Sequence, residues 1–385
     1  MLPHQLQSAL SELDALNLRR RRRVLDGAQG VRVRLDGREY LSFSSNDYLG
    51  LAGHPEIVAA ARAAAAEFGV GAGAAHLLTG HHRLHHELES ELAEFVGLPA
   101  TLLFPNGYMA NLGVLQALLE RHGEVFEDRL NHASLVDAAL LSRAKLSRYP
   151  HLDLAALERQ LANSTAQTKL IATDTVFSMD GDVAPVADLL ALAQRFDAWL
   201  YLDDAHGFGV LGQDGRGALS RLATRDSQLI YMATLGKAVG VSGAFVGGSG
   251  ELIEWLVNKA RTYVYTTAQP PLLAAAVRAS LKLLTAEPWR RQRLDELIAR
   301  LRAGMADLPW ALFDSATPIQ PLWVGDERTA LALAEGLRQR GILIPAIRPP
   351  TVPAGTARLR ISLSAAHTLE DVDTLLAAFR ALAAS

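Results

Sequence analysis

Cysteine is absent from the 385 residues. That excludes disulfides, thiolate metal ligation and a cysteine nucleophile together, and it agrees with a cytoplasmic location. No uninterrupted apolar window of the ~18 residues a membrane helix needs occurs. The N-terminus lacks the basic start and apolar core of a secretory signal, and Glu12 and Asp14 count against a transit peptide. Charge of one sign is also missing. The formal net charge is −3, so neither nucleic acid nor a membrane is expected as a partner. Lysine is scarce, with five in all: Lys145, Lys169, Lys237, Lys259 and Lys282.

What is present is a composition able to bury a large core, with 49% hydrophobic and 21% charged residues. Strand-like and helix-like runs alternate between residues 100 and 250, which predicts a mostly parallel sheet with crossover helices. Strands are expected at 101–104, 124–127, 169–174, 198–203, 229–233 and 243–247. Beyond Pro309 a strand at 319–324, a helix at 327–340, strand-like runs at 342–347 and 357–363, and a helix at 368–382 read as an α+β unit. The expected division is an N-terminal helix and hairpin over 1–45, a large domain over 46–285 and a small C-terminal α+β domain over 286–385. The hairpin turns at Asp36-Gly37. A helix is expected over 2–23, ending in the five arginines Arg19 to Arg23. That run reads either as a solvated helix end or as a port for an anionic substrate.

Among the lysines, only Lys237 is flanked by glycines at a strand end, in Thr234-Leu235-Gly236-Lys237-Ala238-Val239-Gly240. Burial there would lower its pKa and make the amine a nucleophile for a carbonyl. A solvated loop lysine is the competing reading. Ligand sites in such sheets gather at strand carboxyl ends, and several polar motifs fall there. Asp203 ends the apolar run Ala198 to Leu202, and His206 follows three residues later. His132 begins a helix after a strand. A buried lysine, a strand-end aspartate and a flat imidazole are what pyridoxal phosphate requires. The aspartate pairs with the ring nitrogen, and the imidazole stacks on the ring. The helix opening at Gly107 and Tyr108 and the Thr234 hydroxyl are candidates for the phosphate. Arg360 is a candidate for an amino-acid carboxylate.

Two decoys are set aside. Gly207-Phe208-Gly209-Val210-Leu211-Gly212 matches the dinucleotide fingerprint literally, yet Gln213-Asp214-Gly215 follows where a helix should open. His81/His85 and His82/His86 have metal-chelating i,i+4 spacing, but the sequence shows no third ligand nearby, and no metal site is expected.

Taken in order, Ser45-Asn46-Asp47-Tyr48-Leu49-Gly50-Leu51, His76-Leu77-Leu78-Thr79-Gly80-His81-His82, Phe177-Ser178-Met179-Asp180-Gly181-Asp182, Asp203-Asp204-Ala205-His206-Gly207-Phe208-Gly209 and Tyr265-Thr266-Thr267-Ala268-Gln269-Pro270-Pro271 closely resemble the α-oxoamine synthases. These are pyridoxal-phosphate enzymes of aminotransferase fold type I, and the resemblance spans nearly the whole chain. It implies an α/β fold with a large, mostly parallel sheet domain and a smaller α+β C-terminal domain. It also implies that Lys237 carries the cofactor and moves the α-proton, with His132, Asp203 and His206 around the ring. Gly107, Tyr108, Ser178 and Thr234 would hold the cofactor. Asn46, Thr351 and Arg360 would contact substrate, and Arg20 the acyl group. The motif pattern is that of the branch joining L-alanine to a pimeloyl thioester, carried on coenzyme A or acyl carrier protein. A sister synthase using glycine is the alternative. A homodimer is implied as well.

Overall fold

The computed structural model describes residues 2–15, 18–20, 22–222 and 226–384. At its centre is a seven-stranded sheet. Its spatial order is Ala100–Phe104, Ala244–Gly248, Leu229–Thr234, Trp199–Asp203, Thr168–Asp174, Gly123–Asp128 and Lys145–Tyr149. Only Ala244–Gly248 runs antiparallel to its neighbours. The sheet is buried on both faces, which is why its strands read as unbroken apolar runs. Ile230 and Met232 pack into one core, while Leu229, Tyr231 and Ala233 pack into the other. The period of two along a strand makes that division. Among the described residues no helix is long and apolar enough to cross a membrane.

Six of the seven strands coincide with the expected runs. The seventh, Lys145–Tyr149, went unpredicted. It lies at the sheet edge with polar residues exposed, so it has no apolar run to betray it. The N-terminal helix is also shorter than expected, spanning Pro3–Ala15, and Arg19, Arg20, Arg22 and Arg23 follow as non-helical chain. Arg21 lies outside the described residues.

The hairpin is Arg32–Leu35 with Arg38–Ser42, closed by Asp36 and Gly37 at φ 50° and 75°. Two positive φ angles match the twist of the flanking strands. The run at 342–347 behaves differently from expectation. Ile342–Leu343 adds to the hairpin as a parallel strand, whereas Ala346–Ile347 pairs with Ala357–Ser362. Pro345, which has no N–H to donate, stands at the crossing between the two sheets.

Two long-range seams join the C-terminal region to the preceding chain. On one, Ser362 donates its N–H to Phe43 O at 2.8 Å and Ala365 donates to Tyr48 O at 2.7 Å. On the other, the 177–182 loop docks through Gly181. Its carbonyl accepts from Ser315 Oγ at 2.9 Å and Thr317 Oγ1 at 3.1 Å. Gly181 has φ 75°, and a Cβ there would lie 2.4 Å from Ile319 O, so only glycine permits this approach. The glycines of the literal dinucleotide match serve close packing instead. A Cβ on Gly207 would lie 2.1 Å from Asp204 Oδ1, a carboxylate the fold buries completely.

Candidate active site

Asp174 and Asp203 end adjacent parallel strands and stand opposite one another in register. They open onto a cavity of about 210 Å³ at the carboxyl edge of the sheet. Its walls include Gly107 and Tyr108 at the start of the helix Gly107–Leu118, together with His132, His206, Thr234 and Lys237. Seven of the sequence-predicted cofactor residues are thus brought to one place. The eighth, Ser178, lies outside that lining, on the Arg360 side.

Lys237 rides on a tight loop between two central strands. Leu235 N–H donates to Gly243 O at 2.8 Å, and Gly240 N–H donates to Lys237 O at 2.8 Å. Gly240 has φ 74°, and a Cβ there would press to 2.6 Å on the 51–52 backbone. The loop is therefore held from both sides. Burial brings the Lys237 pKa down to about 8, against the pull of Asp203 and Asp174 in the other direction. Its Nζ lies 2.9 Å from His206 Nε2.

His206 continues the line. Its Nδ1 lies 2.7 Å from the Tyr48 hydroxyl, which is 3.2 Å from Asn46 Oδ1 and 3.3 Å from Arg360 Nη2. Burial, with Lys237 and Arg360 nearby, pushes the His206 pKa well below its ordinary value, so the ring is neutral. With Lys237 as donor to Nε2, the ring proton sits on Nδ1 and points to Tyr48. The Tyr48 O–H in turn points to Asn46. Arg360 is buried, and donates from Nε to Ser178 O at 2.6 Å and from Nη1 to Asn46 Oδ1 at 3.2 Å and Ser362 Oγ at 2.8 Å. Among the described residues no carboxylate forms an ion pair with it.

Asp203 is buried and accepts from Asn111 Nδ2 at 2.8 Å and Ala205 N–H at 3.1 Å. Asn111 is itself fixed, accepting from Tyr201 Oη at 2.6 Å and donating to Ser134 Oγ at 2.8 Å. Ser134 Oγ lies 2.7 Å from His132 Nδ1 and orients that ring. Asp174 Oδ2 accepts from His132 N–H at 3.1 Å, while its Oδ1 is buried without a partner. Burial and the neighbouring Asp203 raise the Asp174 pKa well above the usual carboxylate range.

These residues fit pyridoxal phosphate. A buried carboxylate with no ion-pair partner among the described residues needs a cation, and a protonated ring nitrogen is one. An orphaned polar atom at Asp174 marks a wall that expects a polar ligand. The helix N-terminus at Gly107 suits a phosphate. The Thr234 hydroxyl, however, is engaged with Gly243 O at 3.0 Å and would turn to serve it.

The substrate candidates form a second group. Asn46 and Arg360 are in contact, and Arg20 Nη2 donates to Thr351 Oγ1 at 3.1 Å. Arg19, Arg20, Arg22 and Arg23 line an open surface hollow.

Sequence reasoning missed Tyr48, Asn111, Ser134 and Asp174. Tyr48 lay inside a quoted motif, and Ser134 two residues after His132. Asn111 carried a signal of its own, an amide one turn after Gly107 in an otherwise largely apolar helix.

Fold and cavity together define a pyridoxal-phosphate-dependent transferase of fold type I. Residues 38–379 match the aminotransferase class I and II family. The 8-amino-7-oxononanoate synthase of Nitrosomonas eutropha is 60% identical over 386 residues, covering 100% of both chains. Serine palmitoyltransferase from S. paucimobilis, solved with pyridoxal phosphate and myriocin bound, superposes with TM-score 0.91 at 27% identity, covering 98% of this chain and 96% of that one. The 8-amino-7-oxononanoate synthase of Francisella tularensis gives TM-score 0.77 at 29% identity, covering 89% of this chain and 98% of that one. The chain belongs to the 8-amino-7-oxononanoate synthase family, and its cofactor is pyridoxal 5'-phosphate.

Proposed function

We infer that the chain condenses L-alanine with a pimeloyl thioester, giving 8-amino-7-oxononanoate, carbon dioxide and the free thiol carrier, a step of biotin synthesis. The contact line Arg360–Tyr48–His206–Lys237 carries the chemistry, because it sets a carboxylate-binding guanidinium beside a basic amine. The full-length likeness to 8-amino-7-oxononanoate synthases supports alanine and pimeloyl over glycine or serine.

Pyridoxal phosphate supplies an electron sink for the carbanion at the α-carbon of alanine. Asp203 keeps the proton on the ring nitrogen. His132 would stack on the ring, and Gly107, Tyr108 and Thr234, with Ser178 from the Arg360 side, would hold the cofactor. Arg360 and Asn46 take the alanine carboxylate. Neutral Lys237 accepts the α-proton at Nζ and later returns one. The new carbon–carbon bond joins the α-carbon to the thioester carbonyl, and the thiolate leaves. The alanine carboxylate then departs as carbon dioxide, and a proton replaces it. His206, its single proton held on Nδ1 toward Tyr48, presents Nε2 to Lys237 Nζ and orients that amine for the proton transfer. Arg20 and Thr351 meet the acyl chain.

Assays pairing alanine, glycine and serine with pimeloyl and acetyl thioesters, read by product mass, test this reading. Alanine with pimeloyl should dominate, on coenzyme A or on acyl carrier protein. Arg360→Ala should raise the KM for alanine by about a hundredfold, as expected for losing a buried charged contact. A preference for glycine with acetyl-CoA would sink the assignment.

We also propose a homodimer, supported by large apolar side chains left uncovered on the surface. Leu78 is 76% exposed and Tyr265 74% exposed. Sedimentation at the mass of a single 41.5 kDa chain would overturn it.

A further inference from the structure

A histidine cluster at the start of the helix Arg83–Val96 plays no part in the site above. His76, His81, His82, His85 and His86 fall within eleven residues. Folding supplies the third ligand that the sequence did not show. Two groups have their ligand atoms within 4.8 Å of one another: His76, His81 and His85, and His81, His86 and Glu89.

Hydrogen bonding separates the two. His85 accepts the His82 N–H at Nδ1 (3.0 Å), so its proton sits on Nε2, which donates to Gln269 O at 2.9 Å. It has no lone pair left for an ion, and the first group is a hydrogen-bonded wall. In the second group each member keeps one ligand atom free. His81 Nδ1 is 2.9 Å from His76 Nδ1, which leaves Nε2 facing Glu89 Oε2 at 3.9 Å. Glu89 Oε1 accepts from Leu103 N–H at 3.0 Å. His86 is exposed and lies three residues before Glu89, on the same helix face.

We propose that His81, His86 and Glu89 bind one divalent transition-metal ion, with Zn²⁺ the best match. Two imidazoles and a carboxylate form a known zinc set, with the fourth position left to water. Ligand atoms about 2.1 Å from zinc lie roughly 3.4 Å apart in tetrahedral geometry. The 3.9 Å between His81 Nε2 and Glu89 Oε2 is therefore closed by a small side-chain shift. The supporting contacts are already in place. Zinc on His81 Nε2 requires the proton on Nδ1, which donates to His76, and Leu103 holds the second oxygen of Glu89. His76 stacks on Tyr263 at 5.0 Å, and Ala75 bridges to Thr267. An ion there would pin the turn His76–Gly80 to the helix that follows it.

Calorimetric titration of Zn²⁺ into chelator-stripped holoenzyme tests the site. One ion per chain is expected. Glu89→Gln and His86→Ala should each weaken binding about tenfold or more, with circular dichroism unchanged. His82→Ala should bind as the wild type does. His86→Ala should keep its basal turnover, since His86 is not among the residues lining the cavity. Absence of saturable binding overturns the proposal. So does wild-type affinity in Glu89→Gln, or loss of the ion in His82→Ala, which would move the site to the His82/His86 pair.

Discussion

Lys237→Ala should lower turnover by about 10⁴-fold or more, because it removes both the nucleophile for the cofactor aldehyde and the base for the α-proton. No other lysine can stand in. Lys145 pairs with Glu124 at 2.7 Å, Lys169 donates to Phe196 O at 3.4 Å, and Lys259 lies over the Trp255 ring. Lys282 lines a separate groove beside Arg278. Borohydride reduction followed by peptide mass analysis should find the cofactor on Lys237 in the wild type and nowhere in the variant. Trapped cofactor at another lysine would refute the assignment.

The same amine sets a pH dependence. With its pKa brought down to about 8, a tenth or so of the amine is neutral at pH 7. An unperturbed lysine would be neutral in only about one molecule in three thousand. The shift is downward, so the reactive form gains population at lower pH. Covalent uptake of pyridoxal phosphate by apoprotein should rise roughly tenfold per unit below pH 8 and level off above it. A rise continuing to pH 10 would show that burial does not act on Lys237.

Asp203→Asn should cost about 3 kcal/mol in carbanion formation, a loss of a hundredfold or more, as expected when one partner of a buried charge pair is removed. The amide keeps the shape and one of the two accepted hydrogen bonds, from Asn111 or from Ala205 N–H, so the lost charge is the larger part of the effect. Exchange of the alanine α-proton in deuterium oxide, followed by NMR, reads this step without the thioester. Unchanged exchange would remove Asp203 from its role. Tyr201 and Asn111 should hold the asparagine in place, and circular dichroism checks that the fold persists.

Much of the large domain was legible because its strands are buried on both faces and read as apolar runs. Their polar ends then announced Asp203 and Lys237. The edge strand Lys145–Tyr149 was not legible, since an edge needs no apolar run. Nor was the split at Pro345, because strand partners are chosen by surfaces distant in sequence. Tyr48 was quoted in a motif without a role. Its role depends on His206, 158 residues away, and on Arg360, 312 away.

The sequence by itself determined what depends on neighbours along the chain. It set the Asp36-Gly37 turn, the apolar strand runs and a lone lysine between two of them. Local sterics and solvation decide such features. Only the tertiary structure decided which polar groups meet: Arg360 with Ser178 across 182 residues, Asn111 with Asp203 across 92, and His81 with Glu89 around a helix start. A buried polar atom has no water to turn to, so packing had to select a partner for it, and the direction of each proton follows from that choice.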